Sequence, residues 1–418
     1  MIISSAIDFG TTNSVAGISF DNNVKMLQLG HQSTETRSVL FYSFDEKGFY
    51  VGDDVLAQLE MDSEGRYLQS LKSFLGHKEN IETVLGTDSY YLDDLISIIL
   101  RRFKQKMDKE AGQSIENLVL GRPVRFNDDS DILDKEAQNR LESSGKKAGF
   151  KNIVFQYEPI AAALSYEDKI DKEELILVAD IGGGTTDYSV IKVGGESRHN
   201  VDRKEDILSN HGVYVGGNSF DSSIIKEFIA PHLGQGTIYK SMGKEMEVPY
   251  ELYFDLSEWH LFQRMFDRKV LTRIDKLMMM AYEKEKIERL HELITDNLYF
   301  DFANEIVNSK VTLSSSDKAR LDMKMFYSPF SVDLTLNEFE TSITPYTQKI
   351  EEALNEALRQ ANVSVDQIDK VFLTGGSTLV PSVKKIYSNY FSEEKIFHTD
   401  VFASVGYGLT LYAGKFRF

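Results

Sequence analysis

Apolar residues in this chain run in short alternating stretches near the start, take the three-and-four spacing of helices further on, and are interrupted twice in the same way. In IISSAIDFGTTNSVAGISF (residues 2–20) an apolar run ends in Asp8, Phe9, Gly10, Thr11 and Thr12 before the apolar pattern resumes. In LILVADIGGGTTDYSVIKV (175–193) the break is Asp180, Ile181, Gly182, Gly183, Gly184, Thr185, Thr186 and Asp187. Residues 1–20 predict two short strands around a turn, with Val15, Gly17 and Ser19 alternating against Ala16, Ile18 and Phe20. Residues 175–193 predict a second such hairpin. Helical spacing covers 92–111 and 130–148, and strands are expected at 116–121 and 152–156. VYVGGNSFDSSIIKEFI (213–229) predicts a glycine turn opening a helix, and 345–361 a helix of alternating charge and alanine. From residue 369 follow a buried strand, a Gly-Gly turn and a helix with Pro381 near its start. Strands followed by helices alternating with strands predict a mixed α/β fold with helices packed on the sheets.

Two segments are rich in small residues. EPIAAALSYE (158–167) places Pro159 at a first helical turn before Ala161, Ala162 and Ala163, and DVFASVGYGLTLYAGKF closes the chain at helix length. Small residues let two helix axes approach closely, which suits either a hinge between lobes or a tight immobile core contact. Between residues 232 and 300, Leu271, Ile274, Met278 and Ala281 recur at helical spacing, and Met279 and Met280 widen that face. A methionine stripe of this kind is core packing in most proteins and an adaptable partner surface in a minority.

At 418 residues the chain exceeds what one core fills, so two domains are expected. A net charge of -18 argues against a protein built for a nucleic-acid backbone or an anionic membrane. The lack of cysteine removes disulfides, thiolate metal sites and cysteine nucleophiles and fits a reducing compartment. No basic region followed by an apolar signal core opens the chain, and eighteen apolar residues never run together, so a cytoplasmic protein is expected.

The repeated device suits a polyphosphate. Glycine lets backbone N–H groups come close to phosphate oxygens, hydroxyls donate to those oxygens, and magnesium, which keeps several waters, needs few protein carboxylates. Gly10 on one side and Gly182, Gly183 and Gly184 on the other supply the first. Thr11, Thr12, Thr185 and Thr186 supply the second, and Asp8 and Asp180 the third, while Asp187 orients a water or the opposing turn. Neither stretch is a G-x-x-x-x-G-K-[ST] loop or a G-x-G-x-x-G fingerprint. A single copy would more often be a capped hairpin turn; two copies at the ends of apolar strands, with a further strand-to-glycine turn at Gly375 and Gly376, reverse that weighting.

These residues resemble the actin-like ATPase superfamily, and within it the nucleotide-binding domain of the DnaK-type heat-shock chaperones. AIDFGTTNS is similar to their first phosphate loop, VADIGGGTTDYSV to their second and VFLTGGSTLVPSV to their adenosine loop, with LKSFLG, GRPVRFND, EPIAAALSY, VGGNSFD and KVTLSSS in matching order. The resemblance implies two lobes around a central cleft, each with a mixed five-stranded sheet. Lobe I would be 1–169 plus 395–418 with a subdomain at 36–92; lobe II would be 170–394 with a subdomain at 216–344 and a helical insertion near 232–300. It implies ATP or ADP and Mg2+ as ligands, with Asp8 and Asp180 on the metal side. Lys72 and Glu158 would position the attacking water, with Asp180, Thr185 and Asp187 completing the catalytic set. Nucleotide contacts would come from Gly10, Thr11, Thr12, Asn13, Gly182, Gly183, Gly184, Thr185, Gly216, Gly217, Lys310, Ser314, Gly375, Gly376, Ser377 and Leu379.

Two departures bear on function. Where those chaperones carry an acid and an arginine around the lysine of KVTLSSS this chain has Val307 and Val311, and the arginine after G-G-S-T is Leu379. Each lost guanidinium face removes stacking of roughly 0.5 to 2 kcal/mol, which affects base selection more than phosphate binding. The chaperones it resembles follow this domain with a peptide-binding β-domain, and no client site is expected within the residues up to Phe418. The leading expectation is a slowly hydrolysing, chaperone-like ATPase whose protein clients or co-chaperones read its nucleotide state. A small-molecule kinase of the same superfamily and a non-catalytic nucleotide-switched interaction or filament protein are the alternatives; nucleic acid and membrane are not expected partners.

Overall fold

Both acid-glycine-threonine stretches fold as hairpins at the centres of two similarly wired sheets. The structure, a computed structural model, describes residues 3–20, 23–31, 33–60, 64–79, 81–127, 130–167, 170–195, 203–258, 261–296, 298–398 and 403–416. The chain divides into two compact units, one of residues 1–214, 352–376 and 387–418, the other of 215–351 and 377–386.

The first unit opens with β1 (Ile3–Phe9), β2 (Asn13–Phe20), β3 (Asn23–Met26) and β4 (Glu35–Arg37). A small sheet of β5 (Leu40–Ser43), β6 (Gly48–Val51) and β7 (Gly65–Leu68), with helix α1 (Asp54–Glu60) between the last two, and a ribbon of β8 (Glu82–Leu85) and β9 (Asp88–Tyr91) follow. Then come α2 (Leu92–Ala111), β10 (Asn117–Arg122), α3 (Asp131–Ala148), β11 (Asn152–Tyr157) and α4 (Glu158–Glu167). Helix α3 starts where the Ser130 side chain accepts a hydrogen bond from the Leu133 N–H, and it stops at Gly149, whose φ of 109° suits glycine. In the first large sheet the order is β11-β10-β1-β2-β3, with β4 also on β2; β1 runs antiparallel to β2 and parallel to β10.

The second large sheet repeats the wiring. β12 (Glu174–Ile181) pairs antiparallel with β13 (Thr186–Val193), which pairs with β14 (Ile207–Val213), and the order is β14-β13-β12-β19-β20. The expected alternation along β2 is not seen: all its interior positions are buried, because α2 covers one side of the first sheet and the final helix of the chain covers the other.

The second unit begins with α5 (Gly217–Ile224), which continues as a wider turn over Ile225–Ile229. β15 (Ile238–Ser241) and β16 (Lys244–Glu247) form a separate hairpin, followed by α6 (Glu251–Ser257), α7 (Arg268–Met280), α8 (Lys284–Thr295) and α9 (Tyr299–Leu313). β17 (Lys318–Met323) and β18 (Phe330–Thr335) make a second ribbon. The helical face expected at 271–281 is present but in a shifted phase: Ile274, Leu277 and Ala281 are buried, while Met279 stands in solvent instead of widening the face. Four consecutive apolar residues, Leu277 to Met280, cannot share one side of a helix that turns 100° per residue.

Helix α10 (Leu336–Ala361) begins nine residues before the expected start at Pro345 and runs through that proline. Proline removes a single intrahelical N–H, and the flanking turns hold the helix across the gap. β19 (Lys370–Thr374), α11 (Pro381–Tyr390), β20 (Ile396–His398) and α12 (Ala403–Lys415) complete the chain; the first residues of the closing stretch, 400–402, lie outside those described. Helices α4 and α12 pack on each other between the two large sheets, where Ala6, Val119, Ala161, Val178, Phe372 and Leu409 share one core. Among the described residues no helix is long and apolar enough to cross a membrane.

Candidate functional site

The turns of the two hairpins lie beside each other. A Cβ placed on Gly184 would sit 3.9 Å from Cγ2 of Thr11 and 3.5 Å from Oγ of Ser73, so the second turn faces the first turn and the segment that carries Lys72. Close approach explains two of the glycines, Gly10 and Gly375. At Gly10 a Cβ would meet the Asn13 carbonyl oxygen at 2.2 Å, and the second turn closes with the Gly182 N–H donating to the Thr185 carbonyl at 2.9 Å. Gly375, with φ of 87°, fits against the Ile181 carbonyl oxygen, which a Cβ would meet at 2.0 Å; no side chain could be accommodated there.

Lys72 sits in a 3-10 turn, Leu71–Phe74, entered through Ser70 in the left-handed region (φ 57°, ψ 29°). The turn is anchored from outside by Arg140, which donates to the Leu75 carbonyl at 2.7 Å, and by Asn127, which donates to Gly76 at 3.1 Å. So held, the Lys72 ammonium donates to Oε1 of Glu158 at 2.8 Å, the two side chains being 12 and 11 % exposed. Glu158 is the first residue of α4, and Gly121 on β10 makes room for it: a Cβ there would lie 3.3 Å from Cγ of Glu158.

Asp8 and Asp180 join this pair electrostatically. Burial, with repulsion from Glu158 and Asp180, pushes Asp8 up to about 8 although Lys72 pulls the other way. Burial and Glu158 likewise raise Asp180, opposed by a hydrogen bond from Oγ1 of Thr374 at 3.0 Å and by Lys72. For Lys72 burial favours the neutral amine, but Glu158, Asp8 and Asp180 outweigh it and hold the ammonium above the ordinary lysine value. Behind them lies a small cavity lined by Glu158, Asp180, Asp187, Ser189, Asn210 and Thr374. Thr185 donates to Asp187 at 2.9 Å.

The donors fit a hydrated magnesium ion. They are oxygens, and burial with the charge of Glu158 raises the proton affinity of Asp8 and Asp180, which a divalent cation would relieve. No group of three or more His, Asp or Glu able to hold a metal directly occurs among the described residues, so such an ion would be bound largely through water.

Asp8, Gly10, Thr11, Lys72, Glu158, Asp180, Gly184, Thr185 and Asp187 are thus gathered within the first unit, with Thr12, Asn13, Gly182 and Gly183 in the same turns and Gly375 and Gly376 at the end of β19. Gly216, Gly217, Lys310, Ser314, Ser377 and Leu379 belong to the second unit. There Lys310 donates to the Gly217 carbonyl at 3.0 Å and pairs with Asp221 at 2.7 Å, and the Ser314 hydroxyl donates to the Lys310 carbonyl at 3.1 Å. Sequence reasoning missed Thr374, Ser73 and Gly121. The last carried a usable signal, a glycine inside an apolar strand pattern, which marks close approach by another group.

Two mixed sheets with matching strand-turn-strand devices define an actin-like ATPase fold. The chain belongs to the Hsp70 family, whose profile, described as Hsp70 protein, matches residues 75–241 and 263–414. It is similar to "Chaperone protein DnaK" of Thermosipho africanus, 28 % identical over 391 residues, covering 93 % of this chain and 55 % of that protein. The protein of the same name from Mycoplasma mobile is 25 % identical over 390 residues, covering 93 % and 54 %. The chain therefore spans about half the length of the curated relatives it matches.

Proposed function

We propose that the chain binds ATP and ADP with Mg2+ and hydrolyses ATP slowly, with water as the nucleophile. The observation that carries this reading is the convergence of Asp8, Lys72, Glu158 and Asp180 beneath two facing glycine-rich turns. Lys72 and Glu158, locked in their ion pair, align the water; Thr185 and Asp187 face the terminal phosphate; the turn amides and the threonine hydroxyls take up its oxygens. Magnesium, held by Asp8 and Asp180, would neutralise phosphate charge. Gly216, Gly217, Lys310, Ser314, Gly375, Gly376, Ser377 and Leu379 would contribute to the nucleoside end.

The lobes would be residues 1–169 with 395–418 and residues 170–394, opening and closing with nucleotide state and changing a surface read by protein clients or co-chaperones. Similarity to chaperone protein DnaK supports that reading and a cytoplasmic location. A second reading, a nucleotide-switched interaction protein without significant turnover, is favoured by Val307, Val311 and Leu379, all exposed apolar residues at positions implied for the base. The alternative of a small-molecule kinase would require a phosphorylated product in a metabolite screen.

Calorimetry with ATP and ADP, with and without magnesium, tests binding, and turnover in Lys72→Ala and Asp180→Asn separates a catalyst from a binder. Magnesium-dependent binding with turnover lost in both variants is expected. No magnesium-dependent binding by folded protein would overturn the proposal, and turnover unchanged in both variants would mean a wrong site.

A further inference from the structure

We propose that the free edge of β16 is a strand-addition site for an extended segment of a partner protein in which basic residues alternate with apolar ones. β15 and β16 form a two-stranded ribbon of their own, joined by a two-residue turn, Met242–Gly243, with φ of 49° and 78°. Positive φ at both positions is the type I′ pattern that matches strand twist. Methionine is an unusual residue for the left-handed region, and Met242 is also 101 % exposed. Turn residues 242–243, β16 and α6 fall within 242–262, between the two stretches that the Hsp70 profile matches, so this edge is outside the shared family pattern.

Hydrogen-bond parity decides which groups the edge offers. In a two-residue hairpin the pair flanking the turn, here Ser241 with Lys244, is hydrogen-bonded, and bonded pairs alternate from there. The Val248 N–H bonds the Thr237 carbonyl at 2.9 Å in the same phase. Main-chain groups of Ile238 therefore point away from β16, and its carbonyl accepts from the Tyr282 N–H at 3.0 Å. By the same alternation the main-chain groups of Glu245 and Glu247 point away from β15. There, among the described residues, no strand pairs with β16, and every residue of it is exposed.

Parity also selects the occupant. In an antiparallel pairing of two copies an outward-bonding position stands opposite another outward-bonding position, so a register centred on β16 sets Glu245 and Glu247 against glutamates. Carboxylates directly opposite are destabilising, and the edge is charged against itself. A strand with lysine or arginine at those positions instead gains two opposite-charge pairs, and its intervening apolar residue meets Met246 on the other face. Lys240 stands opposite Glu245 inside the ribbon, and the Tyr282 hydroxyl donates to Glu245 at 2.6 Å. Glu247, opposite Ile238, keeps the less compensated charge.

The test is fluorescence anisotropy of a short labelled peptide of alternating lysine and valine, titrated with the full chain in the absence of nucleotide. Saturable, salt-sensitive binding is expected, and a peptide of alternating glutamate and valine should not bind. Glu247→Pro removes an outward N–H that the ribbon does not use, and E245K/E247K reverses the charge; each should weaken binding at least about tenfold. Thermal melts of both variants check that the chain remains folded. Absence of binding, or equal binding by both folded variants, would overturn the proposal. So would sedimentation showing that the chain dimerises and that Glu247→Pro abolishes the dimer, since the occupant would then be a second copy.

Discussion

Gly408→Ala adds one methyl group to α12 and measures how closely that helix lies on α4. In an open helix the change stabilises by about 1 kcal/mol, because alanine loses less backbone entropy than glycine. Here the new Cβ would stand 1.9 Å from the Ala161 carbonyl oxygen, 2.6 Å from its carbonyl carbon and 3.2 Å from its Cα. These are backbone atoms of a helix and cannot swing aside as a side chain would. The two helices would have to part by roughly 1 Å, weakening dispersion contacts along the whole layer. Overpacking costs about 1–3 kcal/mol and this contact belongs at or beyond the upper end, so after the propensity gain a net loss of about 2 kcal/mol is expected. Gly145→Ala in α3 is the control: its Cβ meets the Cδ1 methyls of Ile153 at 2.7 Å and Leu120 at 3.6 Å, which can turn away. It should stay within about 1 kcal/mol of wild type. Urea unfolding followed by circular dichroism compares the midpoints, with the slopes checked for constancy. If Gly408→Ala proved as stable as the parent chain, the helices would not lie this close and the packing of the layer between the sheets would have to be redrawn.

Further perturbations address the charged groups. Arg203, 3 % exposed, pairs with Glu167 at 2.8 Å and with Asp206; Arg203→Ala leaves both acids without it and should cost about 3–5 kcal/mol in urea unfolding, with Arg203→Lys restoring only part. Burial, with Lys286 and Arg289 nearby, lowers the pKa of His232, so the unfolded chain takes up that proton first as pH falls. Its stabilising contribution is full above about 6.5 and lost as the pH drops below that value. His232→Phe keeps the stacking on Phe330 and should flatten this part of the pH profile of the melting temperature. Lys72→Met should lower single-turnover ATP hydrolysis by about a hundredfold with nucleotide affinity changed far less, the pattern of a group that acts on the reacting water; equal losses in both would assign it to binding instead.

The two hairpins were legible in the chain because a strand reveals itself over a few residues and because glycine and threonine mark a turn in any context. Helices α2 and α3 were legible within about a residue because apolar spacing and capping residues are local signals. The same locality misplaced the start of α10: proline at position 345 is the strongest local stop signal in that segment, yet the helix runs through it once neighbouring turns hold both sides. The phase of α7 was missed for a related reason, since a run of four apolar residues has no preferred side until a core is supplied.

The sequence by itself determined the paired turns, the acids at the strand ends and the small-residue helices, all of which are properties of neighbours along the chain. Only the tertiary structure decided that Lys72 meets Glu158 across 86 residues, that Thr374 reaches Asp180 across 194, and that Gly121 clears the space into which Glu158 fits. It also decided that, among the described residues, no strand pairs with the outer edge of β16 while the Tyr282 N–H covers that of β15. The physical reason is that a residue's charge state and partners depend on what is brought within a few ångströms of it. Local backbone preferences carry no record of that distance until the sheets and helices have packed.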